Sequence, residues 1–172
     1  MTGIDRRHLI GGVALGAGMA AAAGRALAEP QKLDLSALKK ESDLACAYHC
    51  DFGDPKRIMQ MATNIDNHLS VYDADPFKIK IVVVAHGQGI KPFLTDLEGT
   101  PWKADPMPLE VFARFVDLAK VGVEVYLCQI TFRNNKIDPA KARSDGFIKL
   151  VPSGVATVAA LQSKGFAYVK VG

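Results

Sequence analysis

The chain is poor in cysteine and in aromatic side chains, with three cysteines, one tryptophan and 8% aromatics in 172 residues. It lacks a Walker-type phosphate loop and a Ser–His–acid nucleophile elbow, so phosphate-loop and serine-hydrolase chemistry have no motif to rest on. Gly87-Gln88-Gly89 continues into Ile90-Lys91-Pro92 rather than into a helix start, which removes the dinucleotide reading. No basic stripe alternates with aromatics, which argues against a nucleic-acid partner. No internal repeat or low-complexity tract follows the first thirty or so residues. Leu9 to Ala23 is apolar but too short, and too rich in Gly and Ala, for a membrane span of roughly 20 residues.

What is present begins with an address. Arg6-Arg7, the apolar stretch to Ala23 and the small-x-small ending Ala26-Leu27-Ala28 predict a cleavable export signal over residues 1–28, cut near Ala28. Adjacent arginines favour the twin-arginine route over the general secretory one, although Asp5 and Leu9 depart from its usual pattern. Either route places the mature chain in a bacterial periplasm, free of the membrane after cleavage. Loss of Arg6, Arg7, Arg25 and Asp5 leaves 18 basic and 17 acidic residues, a near-neutral balance. Residues 29–40 read as a linker and 41–172 as one domain with a real core.

Strands and helices alternate along that domain. Asp43 to His49 is a first apolar strand. Asp54-Pro55 is an N-cap with proline at the first helical position, and Ile58, Met61, Ala62, Ile65 and Leu69 follow at helical spacing to about Ser70. Ile79 to Ala85 is a β-branched run of the kind covered on both faces. Gly87 to Pro108 is irregular and carries Trp102, and a loop of this length suggests a lid. A helix over 108–121 shows Leu109, Phe112, Val116 and Ala119 on one face, with Gly122 as its stop. Val123 to Ile130 is a third strand, Asp138-Pro139 opens a short helix to about Arg143, and Phe147 to Val151 is a fourth strand. Ser153 caps a helix containing Val155, Val158 and Leu161, and Phe166 to Val171 is the fifth strand. This order predicts an α/β sheet, largely parallel, with right-handed crossovers.

In such a sheet the carboxyl ends of the strands share one edge, where open α/β folds bind ligands. His49 and Cys50, His86, and Cys128 each close a predicted strand, so thiols and imidazoles should line one shelf. Cys128 precedes a polar stretch with Arg133 and Lys136, whose charge would favour the reactive thiolate. Its other reading is a small apolar plug. Cys50 is open to the same two readings, and it and His49, as neighbours in a strand, should face opposite sides. Cys46 reads as core. In an extended strand Cys46 and Cys50 stand roughly 13 Å apart, beyond the ~7 Å between Cα atoms that a disulfide tolerates. His86 can move a proton near neutral pH or be satisfied by a backbone carbonyl, and Gly87 and Gly89 would let the backbone approach a ligand. Asn64, Asn67 and His68 read as a solvated helix face or a subunit contact. Two cysteines and two histidines also match a zinc or copper ligand set in type, but not in any compact spacing. No motif calls for a metal or other cofactor.

Taken together, these landmarks resemble the DsrE/DsrF-like sulfur-relay family. The likeness rests on Tyr48-His49; Asn64, Asp66, Asn67 and His68; Val84-Ala85-His86-Gly87-Gln88-Gly89; Gly122 to Thr131, containing Cys128; Val151-Pro152-Ser153-Gly154; and Leu161-Gln162 through Gly165 to Tyr168. The resemblance implies a three-layer α/β/α domain around a five-stranded, mainly parallel sheet, and a homo-oligomer such as a trimer or hexamer. It also implies a cysteine, here Cys128, that takes sulfane sulfur as a persulfide and exchanges it with a thiol or sulfane-sulfur partner protein. His86 or His49 would bias its ionisation, Trp102 would partly cover the pocket, and Cys50 could resolve the persulfide, at roughly 10 Å across two strand spacings. The contrasting expectation is a non-catalytic oligomeric module that holds a small ligand or soft metal at the same shelf.

Overall fold

The computed structural model describes residues 30–171, and the export signal read over 1–28 lies outside them. Its strands are β1 (Gln31–Lys32), β2 (Leu44–Cys50), β3 (Ile79–Ala85), β4 (Glu124–Cys128), β5 (Ile148–Val151) and β6 (Ala167–Lys170). They form one sheet in the order β1-β5-β4-β3-β2-β6, and every neighbouring pair is parallel. The expected sheet had five strands; among the described residues it has six. The extra one, β1, is two exposed residues inside the stretch read as a linker, with no apolar alternation to announce it. The chain beside it is fixed by a backbone bond from Leu33 N–H to the Leu150 carbonyl (2.8 Å) and by Leu33, Leu35 and Leu38 against the core.

β3 sits at the middle and shows why its residues are Val and Ile. Ile81 through Ala85 are almost wholly buried because both faces of the strand are covered. Each such Val or Ile contributes on the order of 1.5–3 kcal/mol relative to exposure. One face carries Cys46, Tyr48, Cys50, Ile81, Val83, Val125 and Leu127 under helices α1 (Pro55–Ser70) and α2 (Leu109–Ala119). The other carries Ala45, Ala47, Val82, Val84, Tyr126 and Val151 under a helix over Gly154–Ser163. The result is helix, sheet, helix.

Local signals read well where capping is strong. The Asp54 carboxylate accepts from Arg57 N–H at 2.7 Å, and α1 buries Ile58, Met61, Ala62, Ile65 and Leu69. α2 is turned from the expected face: Val111, Phe115 and Leu118 are buried, whereas Leu109 is 76% exposed. Both stripes of this helix are apolar, and the choice falls to Phe115, which packs edge-on against Phe93 with ring centroids 5.0 Å apart.

The third predicted strand was too long. β4 stops at Cys128, and Gln129–Asn134 is a short helix, α3, whose Thr131 hydroxyl accepts from Gly87 N–H at 2.9 Å. The helix over Gly154–Ser163 is therefore α4; it buries Val158 and Leu161 but leaves Val155 66% exposed.

The segment after β3 is no lid over the strand ends. Gly87–Phe93 is a 3-10 helix whose Ile90, Lys91 and Phe93 are buried. The Lys91 ammonium is held inside by the Asp105 carboxylate and by the Gly53 carbonyl at 3.4 Å. Trp102 packs on the α1/α2 face with this segment. Among the described residues no helix is long and apolar enough to cross a membrane.

Candidate functional site

Alternation along parallel strands decides which side chains meet. β2 and β3 pair His49 with Val84, and β3 and β4 pair Val84 with Tyr126, so these three sit in one row across the sheet. Val84 and Tyr126 belong to the α4 face. Two residues further along each strand are His86 and Cys128. His86 is still extended (φ −147°, ψ 171°), so its imidazole stays on that side. His49, His86 and Cys128 therefore share the α4 side of the carboxyl edge.

Cys50 does not join them. It is wholly buried on the α1/α2 face, with its Sγ near the Phe52 and Gly89 carbonyl oxygens (3.8 and 4.0 Å). Burial, chiefly, pushes its thiol up to about 12, so it stays protonated at neutral pH. A Cys50–Cys128 disulfide would have to form through the sheet, and the resolving role has no geometric support. Cys46 is also buried on that face, its thiol raised by burial, and all three cysteines are free thiols.

The two imidazoles are in direct contact. His49 Nε2 lies 2.6 Å from His86 Nε2, and the ring centroids are 4.8 Å apart. One nitrogen must donate and the other accept. His49 is aimed by its second nitrogen, Nδ1, which lies 3.2 Å from the Tyr168 hydroxyl on β6. Burial and then the neighbouring His49 hold the His86 imidazole below its ordinary range, with Asp51 opposing them. Asp51, just past the end of β2 and exposed, completes a group with both histidines: a donor atom from each lies within 4.8 Å of the others.

Beside this pair, His86 and Cys128 wall a recess of about 310 Å³ together with Thr131, Asn134, Ser153 and Val155. Cys128 is only 5% exposed, so its sulfur is sheltered at the recess wall. The first residue of α4 is a glycine for a packing reason. A Cβ on Gly154 would stand 2.9 Å from His86 Cβ, 3.0 Å from His86 Cδ2 and 3.2 Å from Cys128 Cβ. His86 and Cys128 thus close around one backbone position. Arg133 and Lys136, read as positive neighbours of the thiol, are not among the residues lining this recess, and Trp102 lies on the opposite side of the sheet.

Gly89 likewise serves the chain rather than a ligand. A Cβ there would come 2.1 Å from the Cys50 carbonyl oxygen. His68, expected on a solvated or intersubunit face, places Nδ1 3.0 Å from the Tyr48 hydroxyl. Sequence reasoning gave Asp51, Tyr168 and Gly154 no place in the site, although Tyr168 and Gly154 fall in stretches that carry the family resemblance. Gly154 follows a helix cap and carries no sign of what would press on it. Tyr168 meets His49 only because the last strand pairs with β2.

The fold and the rim define a class: an all-parallel α/β domain with a thiol and paired imidazoles at the carboxyl edge of its sheet. The sequence model of the DsrE/DsrF-like family matches residues 53–171, and the chain belongs to that family. The matched span contains His86 and Cys128; His49 and Asp51 precede it. Among solved structures, a protein of unknown function from Methanobacterium thermoautotrophicum is similar at a TM-score of 0.59 and 23% identity. That match covers 74% of this chain and 99% of the other, and supports the fold. No curated protein matches the chain.

Proposed function

We propose that this is an exported sulfur carrier of the DsrE/DsrF-like family, acting in reduced-sulfur metabolism through a persulfide on Cys128. The observation that carries the reading is the shared recess: Cys128 and His86 wall one cavity at the carboxyl edge of the sheet. Arg6-Arg7 ahead of an apolar stretch supports export, and the family resemblance supports a homo-oligomer.

The chemistry asks for a nucleophilic sulfur, a place for its proton and shelter for the product. The Cys128 thiol gives its proton to an imidazole on the same wall, or to water, and the thiolate attacks the outer sulfur of a donor. With thiosulfate, the S–S bond of the donor breaks, a new S–S bond forms on Cys128, and sulfite leaves with the electron pair. With a donor persulfide, the donor thiolate leaves instead and takes the proton. Sulfane sulfur changes hands with no net oxidation. Attack by an acceptor thiolate on the terminal sulfur of Cys128 returns the thiolate. Asn134, Thr131 and Ser153 supply polar atoms around the terminal sulfur in the recess.

Intact-mass spectrometry tests the reading. Protein exposed to thiosulfate or polysulfide should gain one sulfur atom, which cyanide removes as thiocyanate, and Cys128→Ser should gain none. Absence of any gain across both donors would overturn it.

A further inference from the structure

We propose that His49, His86 and Asp51 form a binding site for a divalent first-row transition-metal ion, distinct from the Cys128 thiol. The three donor atoms converge within 4.8 Å of one another, from the end of β2 and from just past the end of β3. Two imidazole Nε2 atoms facing each other at 2.6 Å are satisfied either by one N–H···N hydrogen bond or by a cation between them. A shared proton satisfies one N–H···N contact, whereas an ion accepts both lone pairs and the carboxylate together.

The surroundings suit ligation. His49 has its far nitrogen engaged by the Tyr168 hydroxyl at 3.2 Å, the outer contact that fixes ring orientation at metal-bound histidines. His86 is held by its backbone, which donates to the Cys50 carbonyl at 3.0 Å, and by the close packing of Gly154. Both rings therefore stand on the sheet itself rather than on a mobile loop. Two imidazoles and one carboxylate suit zinc, cobalt, nickel or copper and disfavour magnesium or calcium, which take oxygen ligands. Metal–nitrogen arms of about 2.0–2.1 Å at a tetrahedral angle put the two nitrogens ~3.4 Å apart, so the rings must part by less than ~1 Å on loading. Both histidines are half-buried and Asp51 is exposed, which leaves them room to do so. Three protein ligands leave one position of the ion open on the solvent side.

Untagged full-length protein, stripped with chelator and titrated with zinc in a calorimeter, should bind one ion per chain. His49→Ala, His86→Ala and Asp51→Asn should each weaken binding at least tenfold. Tyr168→Phe, which removes only an exposed hydroxyl, should weaken it about tenfold while melting like the parent in the metal-free state. Cobalt should give ligand-field bands of a nitrogen/oxygen site without sulfur charge transfer. Cys128→Ser should bind zinc with unchanged stoichiometry, which separates this site from the persulfide proposal. Absence of zinc binding, or affinity unchanged in both histidine variants, would overturn the site. So would binding that survives His86→Ala and disappears in Cys128→Ser.

Discussion

Gly154 is the position where the geometry of the rim can be tested most directly. A methyl group added there meets His86 Cβ at 2.9 Å and Cys128 Cβ at 3.2 Å, neither of them the free end of a flexible chain. Relieving the overlap requires the start of α4, β4 or the residue after β3 to move. Overpacking of this kind costs about 1–3 kcal/mol. Alanine returns up to ~1 kcal/mol over glycine as a helix former. With that gain subtracted in full the net loss is up to about 2 kcal/mol, which in a domain of this size lowers the melting temperature by up to roughly 8 °C. Gly146→Ala is the matched control. A Cβ there meets nothing within 4 Å, so it should be neutral or gain about 0.4–1 kcal/mol. Calorimetric melts of the two variants give the stability difference, and the rate of iodoacetamide capture at Cys128 reports the recess. If Gly154→Ala melts at or above the parent, with Cys128 reacting at the parental rate, the packing of His86 and Cys128 around α4 is refuted.

Two further outcomes follow from burial and charge. In native protein, iodoacetamide at mildly alkaline pH should modify Cys128 first, with Cys46 and Cys50 reacting only in denaturant; stoichiometric native labelling of Cys50 would contradict its burial and its raised thiol. Glu124 is half-buried, which raises its carboxyl, but Lys80 (3.0 Å), the Tyr126 hydroxyl (2.8 Å) and Lys149 (3.0 Å) outweigh that and hold it below its usual 4.5. A carboxyl depressed in the folded state adds stability above its unfolded value and loses it as pH falls through the folded one. Glu124→Gln should therefore be less stable than the parent at pH 7, by about 1–3 kcal/mol, and the gap should narrow progressively as pH falls below 4.5; a gap that persists undiminished in acid would show that packing, not charge, is responsible.

Most of the elements were legible in local pattern, apart from β1, α3 and the end of β4. The apolar runs at 43–49 and 79–85 read as covered strands, Asp54-Pro55 and Ser153 as helix starts, and Cys128 as lying near a strand end before a polar stretch. Alternation also determined that His49 and Cys50 face apart. These are local properties, set by propensity, capping and periodicity within a few residues. Tertiary structure decided everything that depends on which strand lies beside which. It carried the sixth strand, because Gln31–Lys32 has no pattern of its own and is held by the backbone of β5. It chose the buried face of α2, where two apolar stripes compete and Phe93 selects one. It brought β6 next to β2, so that Tyr168 reaches His49, and set His86 against His49 and Cys128 on the α4 side, with Cys50 on the other. The rim is a product of sheet order, since side chains dozens of residues apart meet only where parallel strands end together.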